Sequence, residues 1–230
     1  MKRFLLAASV VALLATATAC QTIRPSGTPS GHNPVVFVHG WSANETMWDT
    51  AVAQFKAAGY TAGDIDVLYY DSGLTASAAA EKLAAEVDFL KAFTGKSKVD
   101  IVSHSLGSMV TKHCIELGGC AGKVGHWMSL AGADNGTSFG TICAPFFASC
   151  KDMAGQTTEI ADLQAAWPQI TTQAVKVEVQ WSANDGVIIP ATNSKEPAPA
   201  VNVELNSALT HNQIPTDPGA IGETISFFAR

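Results

Sequence analysis

The chain has 230 residues, of which 47% are hydrophobic and only 15% are charged. This length suits one domain with a substantial core, and so many apolar residues exclude a chain that is mostly disordered. The formal net charge is −6, and lysine and arginine form no cluster. A nucleic-acid partner is therefore not expected, because such proteins meet phosphate with a basic patch.

The first segment has the layout of a secretory signal. Two basic residues precede an apolar run from Phe4 to Leu14, and small residues follow as far as Ala19. The apolar run is shorter than the ~20 residues that span a bilayer. We therefore expect residues 1–19 to be a signal peptide and the protein to be exported. A buried N-terminal helix is the alternative.

Cys20 stands where a bacterial lipoprotein carries its acylated cysteine, although Ala17 replaces the more usual leucine. Lipidation of Cys20 would leave an even number of cysteines, which suits an oxidising compartment. Cleavage by the ordinary signal peptidase, giving a freely secreted protein, is the alternative. Residues 20–33 are rich in Pro, Ser, Gly and Thr and predict a flexible tether.

The four later cysteines form two pairs that are close along the sequence. Three pairings are possible, and we prefer the local one, Cys114 with Cys120 and Cys143 with Cys150. A zinc site is the competing interpretation, but the cysteines lack the CxxC spacing of such sites. We therefore expect two disulfides and no metal.

From Pro34 onward, segments typical of strands alternate with segments typical of helices. Strands are predicted over residues 35–38, 65–70, 99–102, 124–130, 175–181 and 200–205. Helices are predicted over residues 46–59, 75–93, 106–117, 158–166 and 218–228, and the stretch carrying Cys143 and Cys150 is predicted as loop. This alternation implies one α/β domain, residues 34–230, with a mostly parallel sheet of about six strands covered on both faces. Ligands of such sheets bind at the carboxyl ends of the strands.

A candidate nucleophile follows the third predicted strand. Ser103-His104-Ser105-Leu106-Gly107 lies between that strand and a helix, which is the setting of a nucleophile elbow, usually Gly-x-Ser-x-Gly. The turn is tight, so its flanking residues must be small, and Ser103 still fits in place of the first glycine. The positive end of the helix favours negative charge that develops beside the serine. This setting favours Ser105 as nucleophile over an ordinary serine-rich turn.

A serine nucleophile needs a base, and in this fold class the partners follow in the order serine, acid, histidine. His211 is the candidate base, because it lies in the loop between the sixth strand and the last helix. His104 is expected to point elsewhere, since it adjoins the nucleophile. Asp185 follows the fifth strand in a turn and is the candidate acid. Its rivals are Asp134, after the fourth strand, and Glu204, within a predicted strand.

The loop after the first strand reads His39-Gly40-Trp41. In enzymes with a nucleophile elbow, one backbone amide that binds the developing oxyanion comes from this loop, and another comes from the residue after the nucleophile. The candidates are the backbone N–H groups of Trp41 and Leu106. Gly40 allows the backbone to approach a substrate closely.

These motifs resemble those of the small class 2 bacterial lipases, which are lidless secreted α/β-hydrolases. The matching segments are residues 34–40, 98–107 and 181–188, and His211 matches by order. The resemblance covers roughly residues 34–228 and implies a minimal α/β-hydrolase fold with no cap domain. It also implies hydrolysis of acyl esters by Ser105, His211 and Asp185 through an acyl-enzyme, without metal or cofactor. The four later cysteines depart from the smallest members and suggest an extra stapled loop. We expect a monomer.

The substrate is less well defined than the chemistry. Candidate acyl-site residues, besides the two oxyanion residues, are Val187, Ile188, Phe146 and Phe147. The two phenylalanines are interpreted either as an exposed contact for lipid or polymer or as packing beneath their loop. A lipase or carboxylesterase is the leading interpretation, and a polyester or cutin-type hydrolase is the second. A non-catalytic surface binding protein is disfavoured, because every catalytic position holds a competent residue.

Overall fold

The computed structural model describes residues 21–155 and 157–230. The predicted signal peptide and Cys20 lie outside the described residues. The strands are β1 (Val35–Val38), β2 (Ile65–Leu68), β3 (Val99–His104), β4 (Val124–Leu130), β5 (Lys176–Trp181) and β6 (Val201–Glu204). The α-helices are α1 (Asp49–Ala57), α2 (Ala76–Thr94), α3 (Leu106–Glu116), α4 (Gly140–Cys143), α5 (Ala148–Met153), α6 (Thr158–Ala166), α7 (Pro168–Thr172) and α8 (Pro218–Phe228).

The six strands form one sheet in the order β2-β1-β3-β4-β5-β6, and every neighbouring pair is parallel. The predicted parallel sheet is therefore confirmed. The chain leaves β1 toward one edge of the sheet and leaves β3 toward the other. The loops that follow these two strands diverge, and such a reversal of strand order creates a crevice at the carboxyl ends of the strands.

Helices cover both faces of the sheet. One core packs α2, α3 and α6 against the sheet around Leu83, Met109 and Leu163. The other packs α1 and α8 against the opposite face around Phe55 and Ile221. Strands that are buried on both faces tend to be near-continuous apolar runs, which explains the unbroken Val35–Val38 run of β1.

The predicted bounds differ from the observed ones mainly between β4 and β5. The stretch predicted as loop contains α4 and α5, and α7 follows α6 with Pro168 at its first turn. These helices have four to six residues, too few to show an apolar period of 3.6. The predicted helix over residues 46–59 begins as a 3₁₀ turn, Glu45–Trp48, before α1.

Residues 21–33, predicted as a flexible tether, instead lie against the edge of the sheet. Ile23 and Val67 exchange two backbone hydrogen bonds of 2.9 and 3.0 Å, so the segment pairs with the edge strand β2. The guanidinium of Arg24 lies 3.1 Å from the carboxylate of Glu86 on α2. An edge strand offers unpaired backbone groups, and these bind the segment although its composition is typical of a linker.

The structure joins Cys114 to Cys120 and Cys143 to Cys150, which is the preferred local pairing. The first disulfide closes the turn after α3, and the second links α4 to α5. Within the described residues, no group of His, Cys, Asp and Glu side chains is arranged to hold a metal ion. Over the same residues, no helix has the length and apolar character needed to cross a bilayer.

Candidate active site

A cavity of about 470 Å³ opens at the crevice between the loops that follow β1 and β3. Its walls come from these loops, from the loops after β4 and β5, and from a 3₁₀ turn, His211–Thr216, before α8. The lining residues are Gly40, Trp41, Ser42, Ala43, Met47, His104, Ser105, Thr137, Phe139, Met153, Val187, Ile188, His211, Asn212, Pro215 and Thr216. Ser105 and His211, two residues predicted from the sequence, therefore face the same space.

Ser105 occupies a strained turn between β3 and α3. Its φ of 56° and ψ of −125° are rare for a residue with a side chain, and such strain is typical of functional sites. Gly107 must lack a side chain, because a Cβ there would lie 2.4 Å from the backbone oxygen of Val38. Ser103 fits in place of the usual glycine because its hydroxyl accepts from the indole N–H of Trp127 at 2.8 Å. The small residues of the motif are thus required by close packing.

His211 and Asp185 form a buried pair. The imidazole Nδ1 lies 2.8 Å from the carboxylate Oδ2 of Asp185. The other carboxylate oxygen accepts from the backbone N–H groups of Val187 and Ile188 at 2.9 and 2.6 Å. Because the Nδ1 proton is donated to Asp185, Nε2 of a neutral His211 carries the free lone pair.

Contrary to our expectation, the His104 side chain does not point away from this site. It lines the cavity, and its ring centroid lies 4.5 Å from that of His211. The expectation was wrong because β3 continues through His104, which places the side chain at the carboxyl edge beside the 3₁₀ turn of His211. Burial, together with the neighbouring His211, holds the pKa of His104 well below its usual value.

The loop after β1 is fixed by a second buried histidine. Nδ1 of His39 donates to the backbone oxygen of Gly40 at 2.9 Å, and the hydroxyl of Tyr70 donates to the backbone oxygen of His39 at 2.6 Å. A trans peptide is planar, so the N–H of Trp41 points away from the Gly40 carbonyl that His39 holds. Burial lowers the pKa of His39, which favours the neutral ring. Leu106 begins α3, where backbone N–H groups have no partner within the helix.

The predicted substrate residues divide into two groups. Val187 and Ile188 line the cavity. Phe146 and Phe147 do not, and 78% and 42% of their surfaces are exposed. The ring of Phe147 nevertheless lies 5.5 Å from that of Trp41, so the pair stands beside the cavity. Other lining residues, such as Met47, Phe139 and Asn212, were missed because they come from loops that no motif marks.

The rival acids lie away from His211. The carboxylate of Asp134 is buried and accepts from the hydroxyl of Ser129 at 2.7 Å. Glu204 is exposed on the edge strand β6. Of the three candidates, Asp185 is the one that the structure brings into contact with His211.

Asp134 belongs instead to a buried cluster with Lys112, Glu116 and Glu196. Lys112 donates to Glu196, and both side chains are buried. Burial raises the pKa of Asp134 to about 7, of Glu196 to about 8 and of Glu116 to about 9, while Lys112 opposes each rise. One buried ammonium thus faces three carboxyls, and full ionisation would leave an excess of buried negative charge.

The protein should therefore lose stability as the pH rises through about 7 to 9. A carboxyl whose pKa is raised by folding contributes its full stability below its unfolded pKa of about 4, and loses it progressively as the pH rises from there through the folded pKa. We expect the Tm to decrease from about pH 6 to about pH 9.5, and the decrease to be smaller in Glu116→Gln. Glu81→Gln, on the exposed face of α2, is the control. A wild-type Tm that is constant over this range would contradict the interpretation.

A strained serine between strand and helix, which shares a cavity with a histidine bonded to a buried aspartate, defines an α/β-hydrolase. A sequence model of the class 2 lipases matches residues 32–218, which is most of the chain. The chain therefore belongs to the class 2 lipase family. Membership of this family makes it a carboxylic ester hydrolase.

Solved structures of lipases share the fold. Bacillus licheniformis lipase BlEst2 in its mature form is 17% identical, with a TM-score of 0.71 over 90% of this chain and 96% of that chain. Its propeptide form is 14% identical, with a TM-score of 0.76 over 91% of this chain and 53% of that chain. Aspergillus fumigatus lipase B is 16% identical, with a TM-score of 0.77 over 91% of this chain and 56% of that chain. The chain thus spans about half the length of the last two.

Proposed function

We propose that Ser105, His211 and Asp185 form a catalytic triad that hydrolyses acyl esters through an acyl-enzyme. The observation that carries this proposal is that His211, bonded to the buried Asp185 at 2.8 Å, lines the same cavity as a strained serine. A serine hydroxyl is a weak nucleophile until a base takes its proton, and His211 has the free nitrogen for this task. No metal or cofactor is needed in this mechanism.

In the first half-reaction, Oγ of Ser105 attacks the ester carbonyl carbon while Nε2 of His211 takes the serine proton. Asp185 stabilises the resulting imidazolium through the Nδ1 hydrogen bond. His211 then returns the proton to the leaving alcohol, and the acyl group remains on Ser105. In the second half-reaction, water attacks the acyl carbon by the same route and releases the acid.

The negative charge that develops on the carbonyl oxygen requires donors that are in place before the reaction. We assign this role to the backbone N–H groups of Trp41 and Leu106. The hydrogen bond from His39 to the Gly40 carbonyl supports the orientation of the Trp41 N–H. The Leu106 N–H is available because Leu106 is the first residue of α3. Loss of one such donor typically costs about 3 kcal/mol of transition-state stabilisation.

A fluorophosphonate probe tests the nucleophile directly. The probe should label the native protein once, and peptide mapping should place the label on Ser105, because activation requires the folded His–Asp pair. Heat-unfolded protein is the control and should remain unlabelled. Labelling of another serine, or no labelling of active protein, would remove the proposed triad.

An exposed apolar rim beside the cavity favours aggregated lipid esters as substrates. The rim consists of Leu74, Ile142, Phe146, Phe147 and Ile189. It adjoins the cavity, because Phe147 packs on Trp41 and the backbone N–H of Ile189 donates to the hydroxyl of the lining residue Thr137 at 3.0 Å. Clustered exposed apolar side chains mark contact surfaces. We therefore propose a lipase that acts on acylglycerol-like esters, with polyester as the second candidate substrate.

Phe146→Ser should separate these substrates from small soluble esters. We expect hydrolysis of a triglyceride emulsion to fall severalfold, and kcat/KM for p-nitrophenyl butyrate to stay within about twofold, because Phe146 lies outside the cavity. Phe93→Ser is the matched control, since Phe93 is also exposed but lies on α2. Equal activity of Phe146→Ser and wild type on the emulsion would contradict the proposed rim. A loss of activity that is confined to hydrolysis of a polyester film would favour polyester as the substrate.

We also propose that the protein is exported and anchored to the cell surface through a lipid on Cys20. The support is the signal-like order of the first residues, together with the two disulfides, which are typical of exported proteins. The mass of the mature N-terminus tests this. A diacylglyceryl group on Cys20 supports anchoring, whereas an unmodified N-terminus in the medium contradicts it and leaves free secretion.

A further inference from the structure

His104 contacts the proposed base through both its ring and its backbone. The ring of His104 lies 4.5 Å from the ring of His211, with the two planes tilted by 43°. Its Nε2 lies 3.2 Å from the backbone oxygen of His211. A carbonyl oxygen only accepts hydrogen bonds, so His104 carries a proton on Nε2 and donates it to this oxygen.

The backbone of His211 is thereby held on both sides. Its N–H donates to the backbone oxygen of Asp185 at 3.0 Å, and its carbonyl accepts from His104. Together with the Nδ1 hydrogen bond to Asp185, these two backbone hydrogen bonds hold the imidazole in a single orientation. Proton transfer from serine needs Nε2 within hydrogen-bond reach, and a displacement of about 1 Å can cost 10²-fold in rate.

His104 can support the base without adding charge beside it. Its side chain is buried, and its Nδ1 has no hydrogen-bond partner among the described residues. The titratable groups that face it are His211 and His39, with Asp185 behind His211. Burial and these two histidines hold the pKa of His104 well below its usual range. A neutral ring does not repel the imidazolium that His211 becomes.

We propose that His104 is a positioning residue, which holds His211 in place for proton transfer through the hydrogen bond to its carbonyl. This inference rests on the proposed triad. His104 acts through His211, so its loss should lower kcat and leave substrate binding nearly unchanged.

Two substitutions separate the hydrogen bond from the ring. His104→Phe keeps an aromatic ring and removes the donor, whereas His104→Gln keeps an N–H donor near the position of Nε2. We would measure kcat and KM for p-nitrophenyl butyrate, per site labelled to completion by a fluorophosphonate. We expect kcat to fall at least about tenfold in His104→Phe with KM within about twofold, and kcat of His104→Gln to stay within about threefold of wild type.

His126→Phe is the matched control. His126 is also buried, and its Nε2 lies 3.4 Å from the backbone oxygen of Arg230, near the amino end of β4. Its kcat per labelled site should not change. Unchanged kcat in His104→Phe, equal losses in both His104 variants, or a loss only in the number of labelled sites would each overturn the proposal. A fully active Ser105→Ala would instead remove the triad itself, so the two failures are distinguishable.

Discussion

Ser105→Ala should abolish ester hydrolysis while the protein remains folded. Removal of a triad nucleophile lowers kcat by roughly 10⁶-fold in a well-studied serine protease, and only catalysis by the remaining groups survives. The Ser105 side chain makes no capping hydrogen bond to the start of α3, so the Tm should change little. Turnover of p-nitrophenyl esters and thermal unfolding, measured on the same purified sample, check both halves of this expectation.

Ser42→Ala is the matched control for this loss. Ser42 also lines the cavity, and its φ of 55° is close to the 56° of Ser105. The two substitutions therefore remove a hydroxyl from the same cavity at similar values of φ. Ser42→Ala should retain turnover within about threefold of wild type, since Ser42 carries no role in the mechanism. Near wild-type turnover of purified Ser105→Ala would rule out a serine nucleophile at this position.

The sheet and the tight turn of Ser105 between strand and helix were predictable because their signals are local. The Val35–Val38 run is unbroken since β1 is buried on both faces. The small residues around Ser105 are required by contacts within the elbow and with the backbone of Val38. The place of His211 beside the cavity of Ser105 was predictable from chain order once the alternation of strands and helices was recognised.

Other features were not predictable because they depend on contacts between distant segments. His104 adjoins Ser105, but its partner is a carbonyl more than a hundred residues later in the chain. Residues 21–33 have the composition of a linker, and the free edge of β2 holds them in place. The same limitation affects the choice of the acid from the sequence. Asp134 and Asp185 both follow strands, and only the position of His211 in the fold distinguishes these two candidates.

Substitution of the proposed acid, Asp185, is expected to have the second large effect on kcat. Asp185→Asn should lower kcat by about 10⁴-fold, as the corresponding change does in a serine-protease triad, because an amide does not hold the imidazole in the required tautomer. In this protein the Nδ1 bond of 2.8 Å is the contact that would change. The substitution is nearly isosteric, so kcat rather than folding should carry the loss.

Asp134→Asn tests the same chemistry at a buried aspartate that lacks this contact. Its partner is the Ser129 hydroxyl at 2.7 Å, and an asparagine can keep that acceptor. We expect kcat of Asp134→Asn to remain within about tenfold of wild type, with any cost falling on the Tm, because the Lys112 cluster is altered. The reverse result, a crippled Asp134→Asn beside a mild Asp185→Asn, would move the acid to the loop after β4. That outcome would require His211 to turn away from Asp185 in the reacting enzyme.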